Sequence, residues 1–357
     1  MPEAKRIITQ AEAIREALEQ AMAEDERVIL IGEGVPDPKG IFGTTAGLQE
    51  KFGGERVFDM PLSENGMTGV CIGAAISGLR PVMVHQRIDF ALLAMDQLLN
   101  NAAKWRYMFA GQMSVPLVIR VIVGRGWGQG PQHAQSLQAL FAHVPGLKVV
   151  MPTSGHDAKG MLIAAIRDDN PVLFIEHRWL HGIADAVPTE SYAVALDSAA
   201  LRRPGRDATV VAFSYMVVEC LLAARVLADF GIELEVIDAR SVRPLDMTTI
   251  LDSVARTGAL VVADTAWKTG GIAGEVVAGV TERAFGALRH APLRVALPDL
   301  PAPTSPHLTR DYYPDALSIA RAIAAHLNRP VPDDELMMRL VRNTPHDVPQ
   351  REFCGPF

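Results

Sequence analysis

Residues 7–32, IITQAEAIREALEQAMAEDERVILIG, decide the fold class. Ile14, Leu18, Ala21 and Met22 recur at the three- and four-residue spacing of one helical face, so 7–23 reads as a helix. Val28, Ile29, Leu30 and Ile31 form a short apolar run ended by Gly32, the length and composition of a buried strand. Helix followed by buried strand is the repeating unit of an α/β protein, and here the unit repeats. Apolar runs return at 57–58, 82–84, 117–123, 147–151 and 172–175, with helical segments such as 91–108 and 158–167 between them. The sheet they build should be largely parallel and flanked by helices.

Around 185–205 the alternation loosens into a polar, proline-containing stretch ending RRPGRD, then restarts with 209–213, a helix to 230, and 233–237. With 357 residues, 49% of them hydrophobic, there is material for two cores. The expected division is therefore 1–190 and 206–327, each an α/β domain with a largely parallel sheet. The second domain continues through 259–263, the glycine-rich turn KTGGIAG and 293–297. The segment PDLPAPTSP at 298–306 cannot be helix or central strand. A helix over 316–327 closes this domain, and 328–357 reads as an extended tail, either disordered or wrapped on a partner.

A net charge of -7 with scattered Lys and Arg gives no electrostatic footprint for nucleic acid. Cys71, Cys220 and Cys354 are too far apart for zinc or a disulfide framework, which points to a reducing compartment. The N-terminal residues look like neither signal nor transit peptide, and no apolar run reaches membrane-spanning length, so a cytoplasmic location away from membranes is expected.

The first chemical candidate is Glu64 in DMPLSENG, 59–66. It follows a short strand and opens an apolar, small-residue helix, which sets its carboxylate at the carboxyl edge of a parallel sheet, where such folds bind ligands. The same position suits an ordinary carboxylate favoured by a helix dipole. The loop GRGWGQG at 124–130 lets backbone approach a ligand and leads to His133, but it lacks the Lys and Ser or Thr of a phosphate-cradling loop. Taken alone, His133 serves equally as acid or base or as a structural hydrogen-bonder.

The order of further motifs changes those odds: GEGV from Gly32, GAAISGLRPV from Gly73, MDQLLNNAAKWRY from Met95, PQHAQS from Pro131, HVPGLKVVMPTS from His143, DAKG from Asp157 and AIRDDNPVLFIEH from Ala165. ATVVAFS, EVIDARSVRPLD and LVVADTAWKTGGIAGE follow in the second half. Over roughly 7–327 the chain resembles the E1 beta subunit of the thiamine-diphosphate-dependent 2-oxo acid dehydrogenases, the pyruvate, branched-chain and acetoin group of the transketolase-like superfamily. The resemblance implies a pyrimidine-binding domain followed by a transketolase C-terminal domain. It makes Glu64 the carboxylate that activates the cofactor, Phe90 the aromatic packed on the aminopyrimidine ring, Leu62 a cofactor contact and His133 the active-site histidine. Glu33 matches an acidic position near the subunit interface, or is an ordinary strand-end carboxylate. Leu117, Ala165, Ile166, Asp168 and Asn170 match a structural potassium site built mainly of backbone carbonyls plus one carboxylate.

The GDG motif that holds magnesium and diphosphate in such enzymes occurs nowhere in the sequence. An alpha-type partner should supply the metal site, in an alpha2beta2 assembly, with a lipoyl-bearing E2 protein as a further partner and a small 2-oxo acid as substrate. Two departures stand out. His85, Gln86 and Arg87 are more polar than the residues expected of a pyruvate or branched-chain enzyme, and Ala134 replaces the more usual Ser after the histidine, which together suggest a polar or otherwise unusual acyl substrate. Trp127 either shapes the pocket or packs on the partner. A split transketolase-type carboligase would use the same residues on an aldehyde or carrier-bound acceptor. A non-catalytic scaffold would tolerate loss of Glu64.

Overall fold

The first helix is fixed at its start by a capping box: Thr9 Oγ1 accepts from the Glu12 amide at 3.3 Å, and the Glu12 carboxylate accepts from the Thr9 amide at 2.8 Å. Its apolar stripe, Ala13, Ile14, Ala17, Leu18, Ala21 and Met22, is buried, as the spacing predicts. The computed structural model describes residues 6–350; Cys354 and the last part of the tail fall outside them.

In chain order the elements are β1 (Ile7–Thr9), α1 (Gln10–Glu24), β2 (Val28–Gly32), α2 (Leu48–Phe52), β3 (Val57–Phe58), α3 (Glu64–Ile76) and β4 (Arg80–His85). Next come α4 (Ala103–Met108), β5 (Val118–Val123), α5 (Gly130–His133), α6 (Gln138–Ala142), β6 (Lys148–Val150), α7 (Gly155–Arg167), β7 (Val172–His177) and β8 (Ala184–Ala186). The second half runs β9 (Ala200–Arg203), β10 (Ala208–Ala212), α8 (Met216–Ala228), β11 (Leu234–Asp238), β12 (Ser241–Arg243) and α9 (Met247–Thr257). It closes with β13 (Leu260–Trp267), α10 (Ile272–Ala284), β14 (Leu293–Leu297), α11 (Ala316–His326) and α12 (Asp333–Leu340).

The chain divides into two compact units, 6–124 with 140–196, and 125–139 with 197–350. In the first, strands in the order β6-β7-β5-β4-β2-β3 are all parallel, and their residues are almost wholly buried between helices. The chain leaves β2 towards β3 at one edge, then returns to β4 on the other side of β2. That reversal opens a crevice beyond the carboxyl ends of β2 and β4, the usual ligand position in this class of sheet. Gly32 ends β2 where a Cβ would lie 2.5 Å from the Val84 carbonyl, so the two strands meet too closely for any side chain. In the second unit the order is β14-β13-β10-β11-β9, parallel except for the antiparallel edge strand β9.

Three expectations need correction. The stretch 185–205 is not wholly irregular: β8 pairs with β1, and β9 joins the second sheet before residue 206. Both are edge strands whose pairing runs through backbone, so their polar side chains hide them from a hydrophobicity pattern. The segment 91–108 is not one α-helix but a 3-10 segment over Ile88–Ala94, a π-helical turn over Gln97–Ala102 and then α4. The tail is ordered on the second unit: α12 starts with Asp333, Asp334 and Glu335 at its positive end, and beyond it His346 pairs with Asp315 at 3.0 Å. The Gln350 amide donates to Tyr215 Oη at 2.8 Å. Among the described residues no helix is long and apolar enough to cross a membrane.

Candidate active site

The carboxyl edge of the first sheet gathers the predicted acids. Glu64 occupies the first turn of α3, half-buried; its carbonyl accepts from Thr68 Oγ1 at 2.7 Å, and Thr68 in turn contacts Met83 Sδ on β4. The helix start is thereby pinned to the sheet, and the glutamate side chain is left at the rim. Glu33, just past β2, has a buried Oε1 without a hydrogen-bond partner. Burial, then the neighbouring charges of Glu64 and Asp59, push the Glu33 carboxyl above its usual range. Asp59 is anchored, accepting from the amides of Gly34 and Met60, each at 3.0 Å. An orphaned carboxylate oxygen beside a second carboxylate fits a ligand that presents protonatable nitrogen, as an aminopyrimidine ring does.

Phe90 lies half-buried in the 3-10 segment after β4, and Leu62 is 82% exposed on the loop before Glu64. Both belong to the same unit as Glu64 and Glu33. His133 ends the four-residue α5 on the segment that packs with the second unit. Trp127, on the same segment, takes a left-handed backbone conformation with φ 51°, and its amide donates to the Asp347 carbonyl at 2.7 Å. It is thus tied to the tail of its own chain. Ala134 is buried with Leu297, Ala302, Tyr312 and Tyr313.

The polar run at the end of β4 divides between core and surface. His85 is buried, and burial pushes its pKa down to about 4, which keeps the ring neutral. Gln86 is exposed and donates to the Glu33 carbonyl at 3.1 Å. Arg87 is half-buried with its guanidinium carbon 5.0 Å from the Phe42 ring centroid.

Three residues that sequence reasoning missed support this edge from below. Arg120 on β5 and Glu176 on β7 form a fully buried ion pair at 2.6 Å, and His181 contacts the second Glu176 oxygen at 3.0 Å. Against its burial, the Arg120 charge holds the Glu176 carboxyl down at about 2. Arg120 also donates to Thr44 Oγ1 at 2.9 Å, so the pair clamps the loop leaving β2. A charged residue inside a continuous apolar strand, VLFIEH, was the available signal.

The residues expected to hold potassium lie together. Arg80 Nη1 donates to the carbonyls of Ile166 at 3.0 Å and Asp168 at 3.1 Å. Asp168 pairs with Lys148 and accepts from both the amide and side chain of Asn170; against the opposing effect of burial, these contacts hold its carboxyl below the usual range. The Ala165 and Leu117 carbonyls accept from the amides of Asp168 and Val172. Carbonyl oxygens have the hard chemistry potassium requires and a second lone pair each, whereas the Asp168 carboxylate is already committed to Lys148.

The family model for the transketolase pyrimidine-binding domain matches residues 7–182, and that for the transketolase C-terminal domain matches 197–319. The beta subunit of acetoin:2,6-dichlorophenolindophenol oxidoreductase from Cupriavidus necator is 45% identical over 320 residues, covering 87% of this chain and 94% of the relative. This chain belongs to the E1 beta-subunit family of thiamine-diphosphate-dependent 2-oxo acid dehydrogenases. Another member, the mitochondrial pyruvate dehydrogenase E1 component subunit beta-2 of Oryza sativa subsp. japonica, is 42% identical over 333 residues, covering 92% of this E1 beta-type chain and 89% of the relative. A solved split-gene transketolase, described as an inactive beta4 tetramer, superposes with a TM-score of 0.75 over 90% of this chain and 99% of its own. At 22% identity that likeness speaks for the fold of the E1 beta-type chain.

Proposed function

We propose that this chain provides the pyrimidine half of a thiamine diphosphate site and, with an alpha-type partner, decarboxylates a small 2-oxo acid and passes the acyl unit to a lipoyl-bearing E2 protein or another acceptor. The observation that carries the reading is Glu64 at the start of α3, beside Glu33 with its orphaned buried oxygen. When bound, the cofactor supplies the carbon nucleophile and the electron sink for loss of carbon dioxide.

The chain's own groups have narrower tasks. Glu64 holds a proton against the pyrimidine ring nitrogen, where a partly desolvated carboxylate exchanges it most effectively. Phe90 and Leu62 fix the ring, and Glu33 carries protons towards the subunit interface. His133 guides protons or the acceptor at the reacting carbons. Magnesium and the diphosphate lie on the partner, since the chain has no GDG motif. Potassium sits against the carbonyls of Leu117, Ala165, Ile166, Asp168 and Asn170 as a structural ion. Exposed apolar residues on and around α3 and α4, namely Leu62, Val70, Leu93, Tyr107, Met108 and Phe109, supply surface for an alpha2beta2 assembly. Among the described residues, the buried free thiols of Cys71 and Cys220 suit a cytoplasmic setting.

Calorimetry tests the half-site directly. The isolated chain should bind thiamine diphosphate with magnesium far more weakly than the assembled complex. Equal affinity of the lone chain would overturn the reading.

A further inference from the structure

Next to the acidic cluster, and in the same unit, lies a second feature that the reading above does not use. A pocket of about 450 Å³ opens beside the β2–β4 crevice, lined among others by Gly34, Asp37, Lys39, Phe42, Gln86 and Arg178. Gln86 joins it to the acids: its side chain lines the pocket and holds the Glu33 carbonyl at 3.1 Å. Arg178, just beyond β7, places its guanidinium carbon 4.6 Å from the Phe42 ring centroid, and Arg87 approaches the same ring at 5.0 Å. An aromatic ring that carries two guanidinium groups holds them in fixed planes.

The wall is rigid as well as charged. Thr45 Oγ1 accepts from the Ile41 amide at 2.9 Å and donates to the Val35 carbonyl at 2.9 Å, and Thr44 Oγ1 donates to the Ile41 carbonyl at 2.7 Å. Gly40 has a φ of 52°, and a Cβ there would lie 2.4 Å from the Ala46 amide nitrogen, so the turn closes only with glycine. The buried Arg120 fastens Thr44 from the sheet. Burial holds the Arg87 and Arg178 guanidinium groups below their ordinary values, and Arg87 is lowered further by Arg178. Bringing in negative charge would relieve both effects.

We propose that this pocket receives the far end of the acyl substrate, and that this end is a carboxylate. The lining sets one carboxylate, Asp37, against two cations, Lys39 and Arg178, while Arg87 lies outside the lining and is countered by Asp89, which leaves room for a single negative charge rather than the double charge of a phosphate. The fork of Arg178 pairs with the carboxylate, Lys39 approaches from the exposed side, and the Gln86 amide separates this end of the substrate from the acids. The enzyme's substrate is then a 2-oxo acid with a second, terminal carboxylate. The inference rests on the reading of Glu64 as the cofactor-activating group, and the experiment below separates the two.

The complex with the alpha-type partner, loaded with thiamine diphosphate and magnesium, is assayed for carbon dioxide release with an artificial electron acceptor. Its two substrates are 2-oxoglutarate and 2-oxopentanoate, which share a five-carbon chain and differ at the far end. Exchange of the cofactor C2 proton is followed by NMR in parallel. The expected result is a kcat/KM at least about tenfold higher for 2-oxoglutarate, lost roughly 10- to 100-fold in Arg178→Gln, the range of a charge-assisted hydrogen bond. Reaction of 2-oxopentanoate and C2 exchange should stay unchanged in that variant. Should Arg178→Gln fail to fold, Lys39→Gln on the exposed loop should lower the same preference by a few-fold. Normal exchange with no preference for the charged substrate, or an equal loss for both substrates, overturns the subsite alone. Release of the partner by Arg178→Gln on gel filtration overturns it in favour of an interface ion pair. Absence of both exchange and carbon dioxide release in the wild type withdraws the Glu64 reading and the subsite together.

Discussion

The two units use one architecture for opposite ends. In the first, the carboxyl ends of β2, β3 and β4 lead into short segments that leave polar groups at a rim: Glu33 with a bare oxygen, Glu64 half-buried, and the Gln86 amide exposed. In the second, the carboxyl half of β13 carries Asp264, which is fully buried and accepts from Gln138 Nε2 at 2.6 Å and the Ala266 amide at 3.2 Å. Its tail then covers neighbouring surface, with Arg342 3.8 Å from the buried Glu219. A parallel sheet offers the same crevice in either case. Unspent bonding capacity alone does not separate them, since Asp264 Oδ2 and Glu219 Oε1 also lack hydrogen-bond partners; the difference is access, with Glu33 and Glu64 half-buried at a rim and Asp264 and Glu219 fully buried.

The contrast breaks most easily at the buried clamp. Arg120→Met should strand Glu176 without its cation and destabilise the first unit by about 3–5 kcal/mol. Hydrogen exchange should then rise across β5 and β7 and leave β10 and β11 protected; uniform protection would show that the pair carries no such weight. Next in size is Glu64→Gln, which keeps a hydrogen bond but removes the exchangeable proton site. Assembly should survive, while carbon dioxide release and C2 exchange should fall by at least ~10²-fold, the typical loss of a general acid or base. Near-normal turnover in a folded, cofactor-loaded variant would make Glu64 a simple helix-end carboxylate.

Asp264 sharpens the other side. Burial pushes its pKa up to about 6, so the charged form is costlier in the fold than in the unfolded chain. The stability it permits is complete when the group is protonated in both states, and is lost as pH rises from the ordinary carboxylate range through about 6. Denaturation curves of wild type and Asp264→Asn across that window should diverge by roughly 3 kcal/mol, the variant gaining at the upper end. Parallel curves would remove Asp264 as the cause. The smallest effect belongs to the tail: His346→Ala deletes one contact to Asp315 and should cost about 1 kcal/mol without altering turnover. A loss of turnover would tie the tail to catalysis.

The sequence made visible those elements whose signal is local. The β2 run and β14 at Leu293–Leu297 are each determined by a few adjacent side chains and lie where the reading put them; the α1 stripe is also borne out, but the helix starts at Gln10 rather than Ile7, because 7–9 form the edge strand β1. Edge strands β8 and β9 were hidden because backbone pairing, not side-chain pattern, makes them. The Arg120–Glu176 pair was hidden for a different reason: 56 positions separate its members, and only the β5–β7 register, with Ile122 opposite Glu176, brings them together. Of the site, the residues carried by motifs, Glu64, Glu33, Phe90 and Leu62, fall in one unit. The polar triplet was half legible: Gln86, past the end of β4, lines the pocket, but His85 is the last residue of a strand buried between helices and so lies in the core. Tail packing had no periodic signal beyond the eight residues of α12.

The clamp on Thr44 bears on how such an enzyme changes over time. A loop secured by a side chain outside itself keeps its shape while its exposed letters drift, and Asp37 and Lys39 are exposed letters of that kind. On the proposed subsite, one or two surface substitutions there would change the acyl preference while the sheet and the clamped loop are inherited intact.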